Sequence, residues 1–179
     1  TISAILRAQT DAATVCNLAQ HSYFNLTGRP DMNGHKLEVA AEHYLPVDNE
    51  FIPTGEVLSV DGTGFDFRQP ESLPTKQPLN HNFCLSADRQ PLRPVAWLSA
   101  EEAGLTLELR TTEPGLQLYD GSLLSSGVKG LNGHVYGPCS GLALEAQLWP
   151  DAPHHPHFPS ALLLPDELYF QQTELKFRR

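Results

Sequence analysis

Two stretches of the chain carry side chains able to move protons. The first runs Asn17-Leu18-Ala19-Gln20-His21-Ser22-Tyr23-Phe24-Asn25-Leu26 and crowds polar groups and aromatics together at the end of a predicted strand. A histidine there can give or take a proton near neutral pH, because an unperturbed imidazole titrates at about 6.5. The same ring serves equally well as a structural group hydrogen-bonded within a loop, and the segment alone does not choose between the two. The second stretch is Leu144-Glu145-Ala146-Gln147. A carboxylate set between apolar neighbours must face either solvent or a polar cleft. In a strand Gln147 stands on the same face as Glu145, so an exposed sheet surface competes with a site. Trp149 inclines the reading towards a cleft, since aromatic rings stack on the C–H faces of ligands such as sugars.

A third cluster, His154-His155-Pro156-His157, invites a metal reading because neutral imidazoles bind zinc. Consecutive histidines broken by a proline do not converge easily on one ion, and no cysteine or acidic motif of ligand spacing lies near them, so they read as loop histidines with no metal. The chain has no glycine-rich phosphate loop and no Gly-x-Ser-x-Gly elbow for a nucleophile.

The elements that must position these residues read as strands. Gly and Pro punctuate short apolar runs every eight to twelve residues or so, the spacing of an all-β protein. Leu105 to Thr111 alternates leucines with Thr106, Glu108 and Arg110, and Leu142 to Leu148 places Leu142, Leu144 and Leu148 opposite Glu145 and Gln147. Further strands are predicted at Ser3 to Ala8, Thr14 to Leu18, Lys36 to Ala40, Gly55 to Val60 and Gly115 to Tyr119. Turns are expected at Thr27-Gly28-Arg29-Pro30, Asp61-Gly62 and Glu113-Pro114-Gly115, and irregular loops at Arg68 to Leu79 and Pro150 to Pro159. The expected architecture is antiparallel sheets.

Composition narrows the function classes. With 179 residues, 40% of them hydrophobic, the chain can bury a real core. A net charge of -9 has the wrong sign for tracking phosphates, which argues against nucleic acid as a partner. Cys16, Cys84 and Cys139 are an odd number and far apart, and read as small buried groups in a reducing compartment. No run of eighteen apolar residues and no signal-peptide pattern is present, so a cytoplasmic location and no membrane partner are expected. Thr1 opens directly into the apolar stretch Ile2 to Leu6, from which a start inside a larger protein is expected.

Taken together, the motifs resemble the aldose 1-epimerase family. They are His21-Ser22-Tyr23-Phe24-Asn25-Leu26, Tyr44-Leu45-Pro46-Val47-Asp48, Ile52-Pro53-Thr54-Gly55-Glu56 and Phe65-Asp66-Phe67, followed by Asn80-His81-Asn82-Phe83. Thr111 to Gln117, Leu144 to Gln147 and Pro150-Asp151-Ala152 through His157-Phe158-Pro159-Ser160 continue the family's order. The resemblance spans nearly all of the chain. It implies an all-β fold, a large antiparallel β-sandwich incomplete at its N-terminus, of which residues 1–179 are the C-terminal part of a single domain. It assigns His21 as general acid and Glu145 as general base, with Asn80 and Gln117 binding sugar hydroxyls. Asn80 stands where the family usually has an aspartate, Gln20 where it has an asparagine, and Tyr119-Asp120-Gly121-Ser122 where it has Tyr-Thr-Gly-Asn. The family's substrate-binding arginine and a second histidine lie upstream of Thr1, so an N-terminal half or a second copy is the expected cover for the truncated sheet.

The implied reaction interconverts the α and β anomers of free hexoses such as galactose and glucose. One group takes the proton of the anomeric hydroxyl while another protonates the ring oxygen, and the roles reverse on closure. No metal or organic cofactor is called for, since no redox step or carbanion arises. His21 and Glu145 are expected to face one cleft without touching, with room for a pyranose between them. Two rivals remain: a sugar-binding module without catalysis, and an epimerase of phosphorylated hexoses, which would need a basic clamp that no dense Arg/Lys cluster supplies.

Overall fold

Alternation of apolar and polar side chains along the strands builds two layers. In the computed structural model, residues 1–125, 129–130 and 133–179 are described. One six-stranded sheet runs β1 (Ile2–Ala8), β14 (Tyr169–Arg178), β10 (Leu105–Thr111), β9 (Arg93–Ala100), β4 (His35–Val39) and β7 (Glu71–Ser72). The other runs β3 (Tyr23–Phe24), β12 (Leu142–Gln147), β11 (Gly115–Tyr119), β8 (Asn80–Cys84), β5 (His43–Tyr44) and β6 (Leu58–Ser59). β2 (Thr14–Val15) pairs with β13 (Leu162–Leu163) in a small third sheet. All of these pairings are antiparallel. Among the described residues no helix is long and apolar enough to cross a membrane.

The core lies between the two large sheets. Leu37, Leu98, Leu107 and Leu109 from the first meet Phe83, Leu116, Leu118, Leu142 and Leu144 from the second, and none is more than 1% exposed. Each such side chain contributes about 1.5–3 kcal/mol over leaving it in water. Because every even residue of β11 and β12 points into this core, Gln117, Tyr119, Glu145 and Gln147 are turned to the outer face of the second sheet. A second apolar cluster, built on Leu45, Leu148, Trp149, Phe158 and Tyr169, closes one end.

Two of the predicted strands are shorter than expected. Thr14 to Leu18 pairs only at Thr14–Val15, because the Asn17 side chain bonds both Leu148 O (3.0 Å) and Leu148 N (2.9 Å) where a ladder would otherwise run. Gly55 to Val60 is reduced to Leu58–Ser59. Gly55 has φ +91°, outside the strand region, and a Cβ there would come within 2.7 Å of the His155 ring.

Two histidines, one buried and one half-buried, are expected to make the fold sensitive to acid. His35 is 1% exposed; its Nδ1 donates to Met32 O (3.1 Å) and its Nε2 accepts from Leu26 N (2.8 Å), an arrangement that requires the neutral ring. His81 packs on Phe65 with ring centroids 4.4 Å apart. Burial holds both pKa values below the ordinary histidine value. A group depressed in this way favours folding fully above its unfolded pKa, about 6.5, and loses that contribution as pH falls towards its folded pKa. The urea midpoint is expected to fall as pH drops from about 7 to about 5, and the drop should shrink in His81→Phe. A midpoint equal at the two pH values would contradict this.

Candidate active site

The outer face of the second sheet carries a row of polar side chains. In the ladder Asn82 stands opposite Gln117 and Gln117 opposite Glu145, while Asn80 and Ala143 flank Tyr119 in the next row. A cleft of about 370 Å³ lies over these rows. His21, Asn80, Gln117 and Glu145 all line it, so the structure brings together the four residues singled out from the sequence.

Glu145 is 8% exposed at the centre of β12. Burial pushes its carboxyl above the ordinary carboxylate range, and the attraction of His21 opposes the shift. His21 sits in the loop between β2 and β3 with its side chain 49% exposed. The pair of hydrogen bonds between the Asn17 amide and the Leu148 backbone ties this loop to the chain just beyond β12. Past β3, the Asn25 amide donates to the carbonyls of Arg29, Asp31 and Ser140, each at 2.9 Å. These anchors at both ends place the imidazole beside the carboxylate. The Tyr23 ring flanks His21 at 5.1 Å and in turn meets Tyr119 edge-on at 6.1 Å.

One expectation is corrected here. His21 Nε2 lies 3.3 Å from Glu145 Oε1, so the two face one cleft but are in contact, with no room between them for a ring. A half-exposed imidazole on a loop is drawn to a buried carboxylate that has no other hydrogen-bond partner among the described residues, and a pyranose would have to part them. Trp149 is a second correction. Its ring is buried against Phe158 (5.2 Å) and its Nε1 donates to Pro114 O (3.0 Å), so it belongs to the second apolar cluster and not to the cleft. β12 ends at Gln147, and with it the alternation that would have turned Trp149 outward.

The apolar wall of the cleft comes from Val47, Phe51 and Pro53, to which no role was assigned from the sequence. Asp48 shapes this loop: its Oδ1 accepts from Glu50 N (2.8 Å) and Ile52 N (3.0 Å), and Phe51 is held at φ 63°. The signal available was the turn-forming Asp48, which ends one motif just before the next, Ile52 to Glu56, supplies Pro53. The three loop histidines are spoken for: His154 (2.5 Å) and His155 (3.2 Å) flank Asp151, and His157 Nε2 donates to Gly55 O (2.8 Å). A larger open groove of about 1100 Å³, formed by residues 63–77, holds Arg68 in ion pairs with Asp66, Asp61 and Glu42 and contains none of the four candidate residues.

Gln117 Nε2 donates to Asn80 Oδ1 at 2.8 Å. The floor of the cleft is therefore amide and the base of its wall apolar, with one carboxylate and one imidazole in contact. Such a pair can exchange protons with a polyhydroxylated ring laid over it.

The family model of aldose 1-epimerase matches residues 1–176. The galactose mutarotase of Homo sapiens is 45% identical over 179 residues, a match covering 96% of this chain and 52% of that protein. The aldose 1-epimerase of Escherichia coli (strain K12) is 35% identical over 189 residues, covering 98% and 54%. Among solved structures, an aldose epimerase homologue from C. elegans superposes with a TM-score of 0.90 at 30% identity, covering 99% of this chain and 55% of that one. The galactose 1-epimerase of Lactobacillus acidophilus gives 0.77 at 29% identity, covering 98% and 52%. The chain spans about half the length of the relatives it matches. On its motifs, its two-sheet sandwich and these matches, the chain belongs to the aldose 1-epimerase family.

Proposed function

We propose that this chain carries the acid–base centre of a mutarotase acting on free hexoses such as galactose and glucose. The observation that carries the reading is the contact of His21 with the buried Glu145 on a floor of sugar-compatible amides. Glu145 takes the proton of the anomeric hydroxyl, and the C1–O bond to the ring oxygen breaks as His21 protonates that oxygen. The open aldehyde rotates; His21 then takes the proton back, the ring oxygen attacks C1, and Glu145 returns its proton to the new anomeric hydroxyl. Each transfer is worth on the order of 10²–10⁴ in rate. Asn80 and Gln117 bind ring hydroxyls, and Phe51 covers the C–H face. The reading further takes residues 1–179 as part of one larger epimerase domain, and the three free cysteines fit a reducing, cytoplasmic setting.

Polarimetry on freshly dissolved α-galactose tests it, with the chain joined or paired to the remainder of the family domain: the rotation should relax to equilibrium faster than in buffer alone, in proportion to protein. Tight sugar binding without faster relaxation would favour the non-catalytic module. The hexose-phosphate reading is disfavoured because no Lys or Arg occurs among the described residues lining the cleft. Since Glu145 works ionised and its pKa is raised, the acid limb of kcat/KM should fall above the ordinary carboxylate value of about 4.3. An acid limb at or below that value would remove Glu145 as the base.

A further inference from the structure

Asn82 lies on the cleft floor at 1% exposure, yet neither its Nδ2 nor its Oδ1 has a hydrogen-bond partner among the described residues. Buried amides left unpaired are rare, because the hydrogen bonds given up to water are not replaced. Its ladder partner across β8 and β11 is Gln117, whose Oε1 is also buried and unpaired. Residues directly opposite in an antiparallel pair hold their Cβ atoms roughly 5 Å apart, within reach of two carboxamides. In the present rotamer Gln117 turns its Nε2 towards Asn80 Oδ1, and no hydrogen bond joins it to Asn82. The Asn82 amide sits over Gly115, where a Cβ would come within 2.6 Å of Asn82 Oδ1.

We propose that Asn82 is a positioning residue for sugar binding, providing a second resting place for the Gln117 carboxamide. A sugar hydroxyl that donates to Asn80 Oδ1 replaces Gln117 Nε2 there. The released Nε2 then donates to Asn82 Oδ1, while Asn82 Nδ2 donates to Gln117 Oε1. Every orphaned atom of the pair gains a partner, and the binding of one hydroxyl is tied to the placement of a second group that can contact the ring. The strands need not move, since both amides swing about their own side-chain bonds.

The inference rests on the sugar-binding reading above but not on turnover, so equilibrium binding of galactose separates the two. Asn82→Leu keeps the volume and removes both polar atoms. It should leave thermal stability equal or higher, weaken galactose binding about tenfold, the worth of one hydrogen bond, and raise KM with the pH profile of kcat unmoved. Asn82→Asp, which keeps an acceptor for Gln117, should restore most of the affinity. In ¹⁵N spectra the Gln117 side-chain amide should shift on adding galactose to the unmodified protein and stay put in Asn82→Leu. If Asn82→Leu does not fold, the Asn82→Asp affinity and the Gln117 shift decide. Galactose affinity within twofold in Asn82→Leu, or a Gln117 amide indifferent to galactose, overturns the proposal. With the remainder of the family domain supplied, galactose binding without faster mutarotation would sink the catalytic reading and leave this one standing.

Discussion

Glu145→Gln, introduced into a polypeptide that catalyses mutarotation, is expected to lower kcat by about 10²-fold or more while galactose binding stays close to that of the unmodified protein. The amide matches the carboxylate in size, so the packing of Leu144 and Ala146 in the core and the pairing of β12 with β11 are untouched. What it lacks is the lone pair basic enough to take the anomeric proton. Burial is what makes that lone pair basic, by raising the Glu145 pKa, and burial is unchanged in the variant. The contact with His21 should persist as an amide–imidazole hydrogen bond, so the loop stays in place and the loss falls on the chemical step. Activity within a few-fold of the unmodified protein would remove Glu145 from the role. Asn80→Asp offers the contrasting result: a change at the binding floor that alters KM, because a carboxylate would take over the bond from Gln117. Unchanged KM and kcat there would place residue 80 out of reach of the sugar.

The parts of this site legible in the sequence are those governed by period-two alternation. Glu145 and Gln147 stand out because apolar partners alternate with them, and β10 and β11 have the bounds that their patterns predict. β9 and β14 were not anticipated, and the reasons are local. β9 carries Pro94 near its start and a register shift against β10. β14 turns the polar Gln171 and Thr173 inward, where Gln171 Nε2 bonds Ala146 O and Thr173 bonds Thr111. Buried polar residues satisfied by distant partners erase the contrast on which pattern reading depends. Trp149 misled for the opposite reason: an aromatic next to a polar strand face suggests a cleft, whereas its indole N–H is satisfied by Pro114, 35 positions away in sequence. The contact of His21 with Glu145 joins residues from a loop and a strand and is set by Asn17 and Asn25, whose bonds reach across the chain to Leu148 and Ser140.

The 179 residues expressed alone are expected to associate in solution and to show little mutarotation, and a separate polypeptide supplying the remainder of the family domain should restore it. The reason lies at one side of the sandwich. β1 ends the first sheet with β14 as its pairing partner, and no strand among the described residues pairs with its other edge of N–H and C=O groups. Phe24 of β3 meets Phe177 of β14, so the second sheet ends over β14 and does not extend over β1. Ile2 faces inward beside Leu175, yet it is 58% exposed where Leu175 is 5%. An open edge flanked by uncovered apolar side chains templates pairing with another chain. We propose that further strands of the domain, which in the relatives is about twice as long, cover this side and complete the cleft wall. Sedimentation should show concentration-dependent association of the chain alone, reduced when the complementing polypeptide is added, and polarimetry should show activity returning in step. If a second copy covers the edge instead, the chain will form a closed dimer that the added polypeptide does not disperse. A monomer with full mutarotase activity would mean that β1 tolerates its open edge and that the cleft lined by His21, Asn80, Gln117 and Glu145 needs nothing more.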